Sequence, residues 1–281
     1  MMPLTRTEIA DQLSGRVLTG LDGASFTSVF TDTRQPQDGG LFVALSGKRY
    51  DAHDYLDLAI AGGASGLVVA CPDALPATCP DDVFVFEAPD TTQALGELGR
   101  LVRDKSSARV VAITGSVGKT TLKDMVGAAL SSFGKTGRTP GNYNNAIGLP
   151  LSLFAMAGDE AFLVLELGMN APGEIAELTH IARPDVGVVT GARAAHLEFL
   201  GSVDAIADAK AELFAGLAAD AVAVANADDP RILERVYAHH DGPIVTYGRD
   251  RRADVRLIDA THTAAGLDVQ GDCMGRDIRY T

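Results

Sequence analysis

Ile113-Thr114-Gly115-Ser116-Val117-Gly118-Lys119-Thr120-Thr121 is the stretch on which the reading of this chain turns. An apolar run, Val110-Val111-Ala112, precedes it, and a helix-forming segment from Leu122 to Leu130 follows. Strand, glycine-rich turn, Lys-Thr and helix is the arrangement of a phosphate-binding loop. Its glycines let backbone N–H groups close around a polyphosphate, its lysine neutralises the outer phosphates, and its hydroxyl reaches Mg2+. The common pattern G-x-x-x-x-G-K-[ST] requires glycine at position 113, where this chain has Ile, so the loop is the shorter Gly115-x-x-Gly118-Lys119-Thr120. The competing reading is a glycine turn that only caps an ordinary helix. The strand before and the helix after favour an ATP or GTP site, with Gly115, Ser116, Val117, Gly118, Lys119, Thr120 and Thr121 as its cradle.

Downstream of Arg109, apolar runs and amphipathic segments alternate regularly. Strands are expected at 109–114, 161–167, 186–190, 221–225 and 243–247, and helices at 120–133, 149–156, 173–181, 204–217 and 229–239. This is the pattern of a doubly wound, mainly parallel α/β sheet with its ligand crevice at the carboxyl ends of the strands. After Gly248 the segments 254–260, 266–271 and 276–281 alternate and are spaced by turns, as in an antiparallel extension. No helix or cap follows Thr281, and the reading is of a domain incomplete at its C-terminal end. Upstream, short strands around 17–18, 26–29, 41–45, 66–70 and 83–86 mix with helices at 5–14, 52–61 and 91–102, describing a smaller mixed α/β domain. Lys105-Ser106-Ser107 is the expected linker, giving domains at 1–104 and 105–281.

The whole-chain composition agrees. A length of 281 residues suits about two domains, and 46% hydrophobic with 22% charged residues describes a folded globular chain. A formal charge of −13 argues against nucleic acid or an anionic membrane as partner, because neutralising phosphates takes clustered Lys and Arg. Any polyphosphate must be held by a local cradle. Cys71, Cys79 and Cys273 have no metal-ligand spacing and cannot all pair, which fits a reducing compartment. The N-terminus lacks the apolar core of a signal peptide, and no apolar run approaches the ~18 residues of a membrane span. A cytoplasmic location is expected, with no membrane insertion.

Five further segments could carry chemistry. Phe162-Leu163-Val164-Leu165-Glu166 is an apolar strand ending in a carboxylate, where nucleotide-binding α/β folds place an Mg2+ ligand; the plain alternative is a strand-end Glu facing solvent. At about 100° per residue, Ile206, Lys210, Leu213, Phe214 and Leu217 share one helical stripe. A lysine within an apolar stripe must snorkel, find a partner or lose its charge, which leaves a snorkelling stem and a chemically special amine as open alternatives. Ala195-His196-Leu197-Glu198 follows the strand at 186–190 and would share the sheet edge with Gly115 and Glu166. Gly141-Asn142-Tyr143-Asn144-Asn145-Ala146-Ile147-Gly148-Leu149-Pro150 offers uncharged amides to a sugar or peptide, or is simply a turn-rich loop. Asn226-Ala227-Asp228-Asp229-Pro230 is equally a helix N-cap or a ligand-facing loop.

In this order, the short loop 114–121, the Asn-rich 141–150, Glu166-Leu167-Gly168-Met169-Asn170, Ala195-His196-Leu197-Glu198 and Ala209-Lys210-Ala211-Glu212-Leu213-Phe214 resemble the Mur ligase family, most closely its D-alanyl-D-alanine-adding branch. Asp32-Thr33-Arg34 with 41–45 and Gly47-Lys48-Arg49-Tyr50-Asp51 is similar to that family's amino-terminal UDP-binding domain. The resemblance implies an ATP-dependent amide-forming ligase of peptidoglycan precursor synthesis. It would join D-alanyl-D-alanine to UDP-N-acetylmuramoyl-tripeptide through an acyl phosphate. It implies that Lys119, His196 and Lys210 are catalytic and that Thr120, Glu166, His196 and Lys210 hold Mg2+, Lys210 as a carbamate. Asn226 would join the loop in nucleotide binding. Thr33, Arg34, Lys48, Arg49, Asn142, Asn145 and Asn170 would face the muramoyl substrate, in a monomer. Asp250 stands where the resemblance leads one to expect an Asn at the adenine. The family's further C-terminal domain is missing from this sequence, so the chain is expected not to complete the reaction alone. Alternatives are a related amino-acid or folylpolyglutamate-type ligase, or a fragment that binds nucleotide or UDP-sugar without turnover.

Overall fold

The computed structural model describes residues 1–47, 49–194, 201–264 and 266–281. Two compact units emerge, and they do not follow chain order: the first comprises residues 1–108 and 139–161, the second 109–138 and 162–281. The expectation of a single cut at 104/105 therefore differs from the structure chiefly in 139–161. The reason is local packing. Helix α5 (Gly148–Phe154) buries Leu149, Leu153 and Phe154, and Phe154 belongs to the core that holds Leu4, Ile9, Leu95 and Leu98. Pro150 of α5 also lies against Gly99 of α3 (Thr91–Lys105).

The first unit is built on a five-stranded sheet ordered β2-β7-β6-β5-β4, from β2 (Arg16–Thr19), β4 (Val29–Phe30), β5 (Leu41–Val43), β6 (Gly66–Val69) and β7 (Phe84–Glu87). Only β2 runs antiparallel to its neighbour. Side chains alternate along a strand. Leu41, Val43, Val68, Phe84 and Phe86 thus pack on one face, and Phe42, Ala44, Leu67, Val69, Val83 and Val85 on the other. Both faces are covered, which is why these strands read as continuous apolar runs. Two helices are defined by side-chain caps: Thr5 and Glu8 form a capping box on α1 (Arg6–Gln12), and Asp90 accepts from Thr92 N and Gln93 N at the start of α3. The strand expected at 26–29 is split, because Ser25–Phe26 (β3) pairs instead with Leu4–Thr5 (β1).

The second unit carries a nine-stranded sheet, β16-β15-β14-β13-β12-β11-β8-β10-β9. Its parallel part is β9 (Thr136–Arg138), β10 (Phe162–Glu166), β8 (Arg109–Thr114), β11 (Val186–Val189), β12 (Val222–Asn226) and β13 (Ile244–Gly248). The antiparallel extension is β14 (Val255–His262), β15 (Leu267–Cys273) and β16 (Arg276–Tyr280), as expected from its alternation. Helix α4 (Lys119–Leu130) covers the face presenting Ile113 and Val164, using Leu122, Val126 and Leu130. Helix α7 (Val203–Ala215) covers the other face. There Gly187 of β11 lets Leu213 and Leu217 approach where a Cβ would crowd them. Helices on both faces of a mainly parallel sheet make this a doubly wound α/β unit, completed by α6 (Glu174–Ala182) and α8 (Pro230–His239). Helix α7 is shorter than the expected 204–217 because Gly216 caps it. Among the described residues no helix is long and apolar enough to cross a membrane.

Candidate functional site

Strand order fixes the site. Strand β8 lies between β10 and β11, with Glu166 in register with Ile113 and Val189 with Thr114. Three strands therefore deliver Gly115, Glu166 and Thr190 to the same carboxyl edge of the sheet, the edge where open α/β sheets bind ligands.

The loop that leaves β8 is anchored before any ligand arrives. Gly118 caps α4 in the left-handed region at φ 81°, and a Cβ on Gly115, at φ 148°, would overlap the Thr190 hydroxyl. Ser116 N donates to Gly191 O (3.0 Å), Arg193 N donates to Ser116 Oγ (2.9 Å), and Thr190 Oγ1 donates to Val117 O (2.7 Å). Lys119 Nζ reaches back across the loop to Gly115 O at 2.8 Å. The start of α4, with its unpaired first-turn N–H groups, is a site for anions.

Thr120 Oγ1 donates to Glu166 Oε2 at 2.8 Å, and Glu166 is buried at 3% exposure. This hydroxyl and carboxylate are hard oxygen donors of the kind Mg2+ takes, so the donor set at the mouth of the loop fits that ion. The same carboxylate oxygen lies 3.8 Å from the Nζ of Lys123, whose side chain is also buried. Sequence reasoning did not single out Lys123. Its signal was its place one helical turn beyond Thr120, on the side of α4 that meets β10.

Lys210 is buried on α7, at 4% exposure, among Ile206, Ala207, Leu213 and Phe214. Burial, with the nearby charge of Lys119 adding to it, brings its amine down to about 8. The snorkelling alternative therefore fails: the head is inside. Glu212, two residues on, accepts from Gly173 N (2.7 Å) and Ala176 N (3.0 Å) and so caps α6, which has no side-chain cap of its own.

Asn226 has its side chain occupied within the fold. Its Nδ2 donates to Thr190 O at 3.0 Å, and its Oδ1 accepts from Asp228 N. The N-cap of α8 is Asp229 rather than Asn226, and Asp229 also accepts from Ala192 N at 2.8 Å. Tyr247 OH donates to the same Thr190 O, and burial, then the charges of Asp228 and Asp229, push that phenol up to about 12. Asp228 holds the turn containing Asp250 by accepting from Arg249 N and Asp250 N. A cleft of about 360 Å³ opens on this flank, lined by Asn226, Asp228, Tyr247, Arg249, Arg256 and Tyr280.

The remaining expected residues fall as follows. Thr121 lies on the exposed side of α4 and Asn170 on the exposed turn after β10, where its N–H donates to Glu174. In the first unit, Thr33 is half-buried, while Arg34 is exposed and doubly bonded to Asp32, whose carboxyl it brings down to about 2. Arg49 is exposed on the turn closed by Gly47 N donating to Tyr50 O. Asn142 is exposed, and Asn145 spends its Oδ1 on the N–H groups of Ile147 and Gly148 at the start of α5. Lys48 and His196 lie outside the described residues. Among the described residues no group of three or more His, Cys, Asp or Glu side chains is placed to hold a metal ion.

Comparison with known proteins bears on this arrangement. The profile of the Mur ligase middle domain matches residues 113–275. A UDP-N-acetylmuramoyl-tripeptide--D-alanyl-D-alanine ligase from Escherichia coli is 44% identical over 231 residues, which is 82% of this chain and 49% of that protein. A crystal structure of MurF from Acinetobacter baumannii superimposes with a TM-score of 0.87 at 28% identity, covering 99% of this chain and 61% of that one. The MurF ligase from Thermotoga maritima in complex with ADP gives a TM-score of 0.79 at 30% identity, over 90% of this chain and 57% of its own. The chain spans about half the length of the curated relatives it matches.

Proposed function

Because the chain belongs to the Mur ligase family, we propose that it carries the nucleotide site and the UDP-substrate site of an ATP-dependent ligase joining D-alanyl-D-alanine to UDP-N-acetylmuramoyl-tripeptide. The observation that carries this reading is the Thr120–Glu166 hydrogen bond at the mouth of a pre-anchored phosphate loop, in a chain akin to an E. coli ligase of that name. The T. maritima relative's ADP complex supports ATP as the phosphoryl donor. Location in the cytoplasm and action as a monomer belong to the same proposal.

In this reading the peptide's terminal carboxylate attacks the γ-phosphorus and ADP leaves. The D-alanyl-D-alanine amine then attacks the acyl phosphate, expels phosphate and gives up a proton. Lys119 swings from Gly115 O onto the β/γ-phosphates, and backbone N–H groups of 115–121 hold their oxygens. Mg2+, when bound, neutralises charge on the transferring phosphoryl group. Thr120 and Glu166 are its first holders. Lys210, as the neutral amine, would form a C–N bond to CO2 and release a proton to solvent, and the resulting carbamate would supply an anionic oxygen to the metal. His196 joins the set as a second metal-side group. Asn226 supports the nucleotide side by fixing the β11 exit through Thr190. Thr33, Arg34, Lys48 and Arg49 take the UDP moiety, and Asn142, Asn145 and Asn170 the muramoyl-peptide.

The test is isothermal titration of the purified chain, first with UDP-N-acetylmuramoyl-tripeptide and then with ATP and Mg2+. Saturable binding of both is expected. A folded chain that binds ATP but not the muramoyl nucleotide would remove the substrate assignment.

A further inference from the structure

Carbonyls of the phosphate loop are already taken, while its N–H groups are not. Gly115 O accepts from Lys119 Nζ (2.8 Å), Val117 O from Thr190 Oγ1 (2.7 Å) and Gly118 O from Leu122 N (2.9 Å). Among the described residues, the N–H groups of Val117, Gly118, Lys119 and Thr120 meet no acceptor. Those of Lys119 and Thr120 belong to the open first turn of α4. Val117 and Gly118 precede the helix, and adjacent N–H groups left free in such a turn suit an anion.

The three carbonyl partners differ in kind. The Leu122 N–H supplies the first bond of α4 itself, and Lys119 leaves Gly115 O for the phosphates in the reading above. Thr190 has no second task. Its N–H donates to Thr114 O at 2.9 Å, and its carbonyl accepts from Asn226 Nδ2 (3.0 Å) and Tyr247 OH (3.3 Å). The hydroxyl that holds the loop is thus carried by a residue tied to β8, β12 and β13. A planar trans peptide directs its C=O and N–H to opposite sides. Holding Val117 O toward Thr190 therefore turns the Gly118 N–H the other way. Gly118 has φ 81°, and glycine gives the 117–118 peptide the freedom to turn over. Turned over, it would present a carbonyl oxygen to the phosphates in place of a donor.

We propose that Thr190 is a positioning residue of the nucleotide site: its hydroxyl fixes the Val117–Gly118 peptide with the carbonyl held back and the Gly118 N–H offered to the phosphates. This rests on the reading of the loop as a nucleotide site.

The experiment is isothermal titration of the whole chain with ADP and Mg2+, for wild type, Thr190→Val and Thr190→Ser. Valine keeps the branched shape without the donor, and serine keeps the donor. Thr190→Val should bind ADP about tenfold more weakly, as when only about a tenth of the loops hold the competent orientation. Thr190→Ser should stay within about twofold of wild type. A role in stability alone would lower the thermal midpoint and leave the affinity of the folded protein unmoved. Unchanged affinity in a folded Thr190→Val, or equal loss in both variants, overturns the proposal and leaves the nucleotide site standing. Failure of wild type to bind ADP overturns both. Amide exchange of the wild type tests the same point without a substitution: the Gly118 N–H should exchange freely alone and be protected by ADP. A Gly118 N–H left unprotected at saturating ADP overturns the proposal whether or not the variants fold.

Discussion

Replacing Lys210 with Met should make this chain more stable. The amine sits at 4% exposure on the inner face of α7. Burial, reinforced by Lys119, brings it from the ordinary 10.5 to about 8. Each tenfold preference for the neutral form corresponds to about 1.4 kcal/mol, so the charged lysine costs about 3 kcal/mol of folding free energy at neutral pH. Methionine fills similar space without charge, and a near-isosteric swap costs less than about 1.5 kcal/mol. The expected net gain is about 2 kcal/mol, or a rise of roughly 5 °C in the midpoint of a domain of this size.

The pH dependence follows from the sign of the shift. The folded amine binds its proton less well than the unfolded one, so the unfolded state holds more protons between about 8 and 10.5. Wild-type stability should rise through that window relative to Lys210→Met, closing the gap of about 3 kcal/mol from the charge term. Urea unfolding of both proteins at a series of pH values in CO2-depleted buffer measures the difference, and titrations common to both cancel. Bicarbonate should stabilise the wild type alone, as the carbamate forms, and a carbonyl signal from 13C-bicarbonate should be absent in the variant. A Lys210→Met chain that is less stable at pH 7, or a gap that stays constant from pH 7 to 10.5, would refute the reasoning.

Gly115→Ala should abolish ATP binding in a titration while the far-ultraviolet dichroism persists, because its Cβ would overlap the Thr190 hydroxyl and the backbone sits at φ 148°; the strain is on the order of 1–3 kcal/mol. Glu212→Ala should lower stability by about 1–2 kcal/mol in urea unfolding, since it strips the carboxylate cap from Gly173 N and Ala176 N at the start of α6. His53→Ala should destabilise the first unit by about 2–3 kcal/mol. The imidazole is buried between Asp51, 2.6 Å from Nδ1, and the N–H of Ala70, which donates to Nε2; a thermal midpoint unchanged by this substitution would count against the pairing.

The parallel sheet was legible because its strands are fully buried and its helices amphipathic: 109–114 was read to the residue, and the others to within one or two. What escaped was short or set by distant partners. The edge strand β9 has three residues and no apolar run, and β1 and β3 are two-residue pairings defined only by each other. The transfer of 139–161 to the first unit could not be read from the segment itself. Leu149, Leu153 and Phe154 announce a buried helix face, but not whose core it enters.

The two buried lysines separate what periodicity reports from what tertiary structure decides. Lys210 was flagged because Ile206, Leu213 and Phe214 surround it on one stripe, and the structure buries that stripe. Lys123 lies about 20° from Leu130 around α4, at 100° per residue, and so already belongs to the edge of the stripe formed by Leu122, Val126 and Leu130. It did not stand out because the next inward position is Gly127, and a lysine between a leucine stripe and a glycine reads as a surface residue with a snorkelling stem. Its burial depends on β10, which places a carboxylate beside it. A lysine at a stripe edge, one turn beyond the hydroxyl of a phosphate loop, is therefore a signal that becomes readable only once the acid-ending strand is assigned to the neighbouring position in the sheet. Strand order is a tertiary fact. The chemistry of this site is thus encoded in pairs of segments, Lys119–Leu130 with Phe162–Glu166 and Val203–Ala215 with Val186–Val189, and neither member of a pair declares it alone.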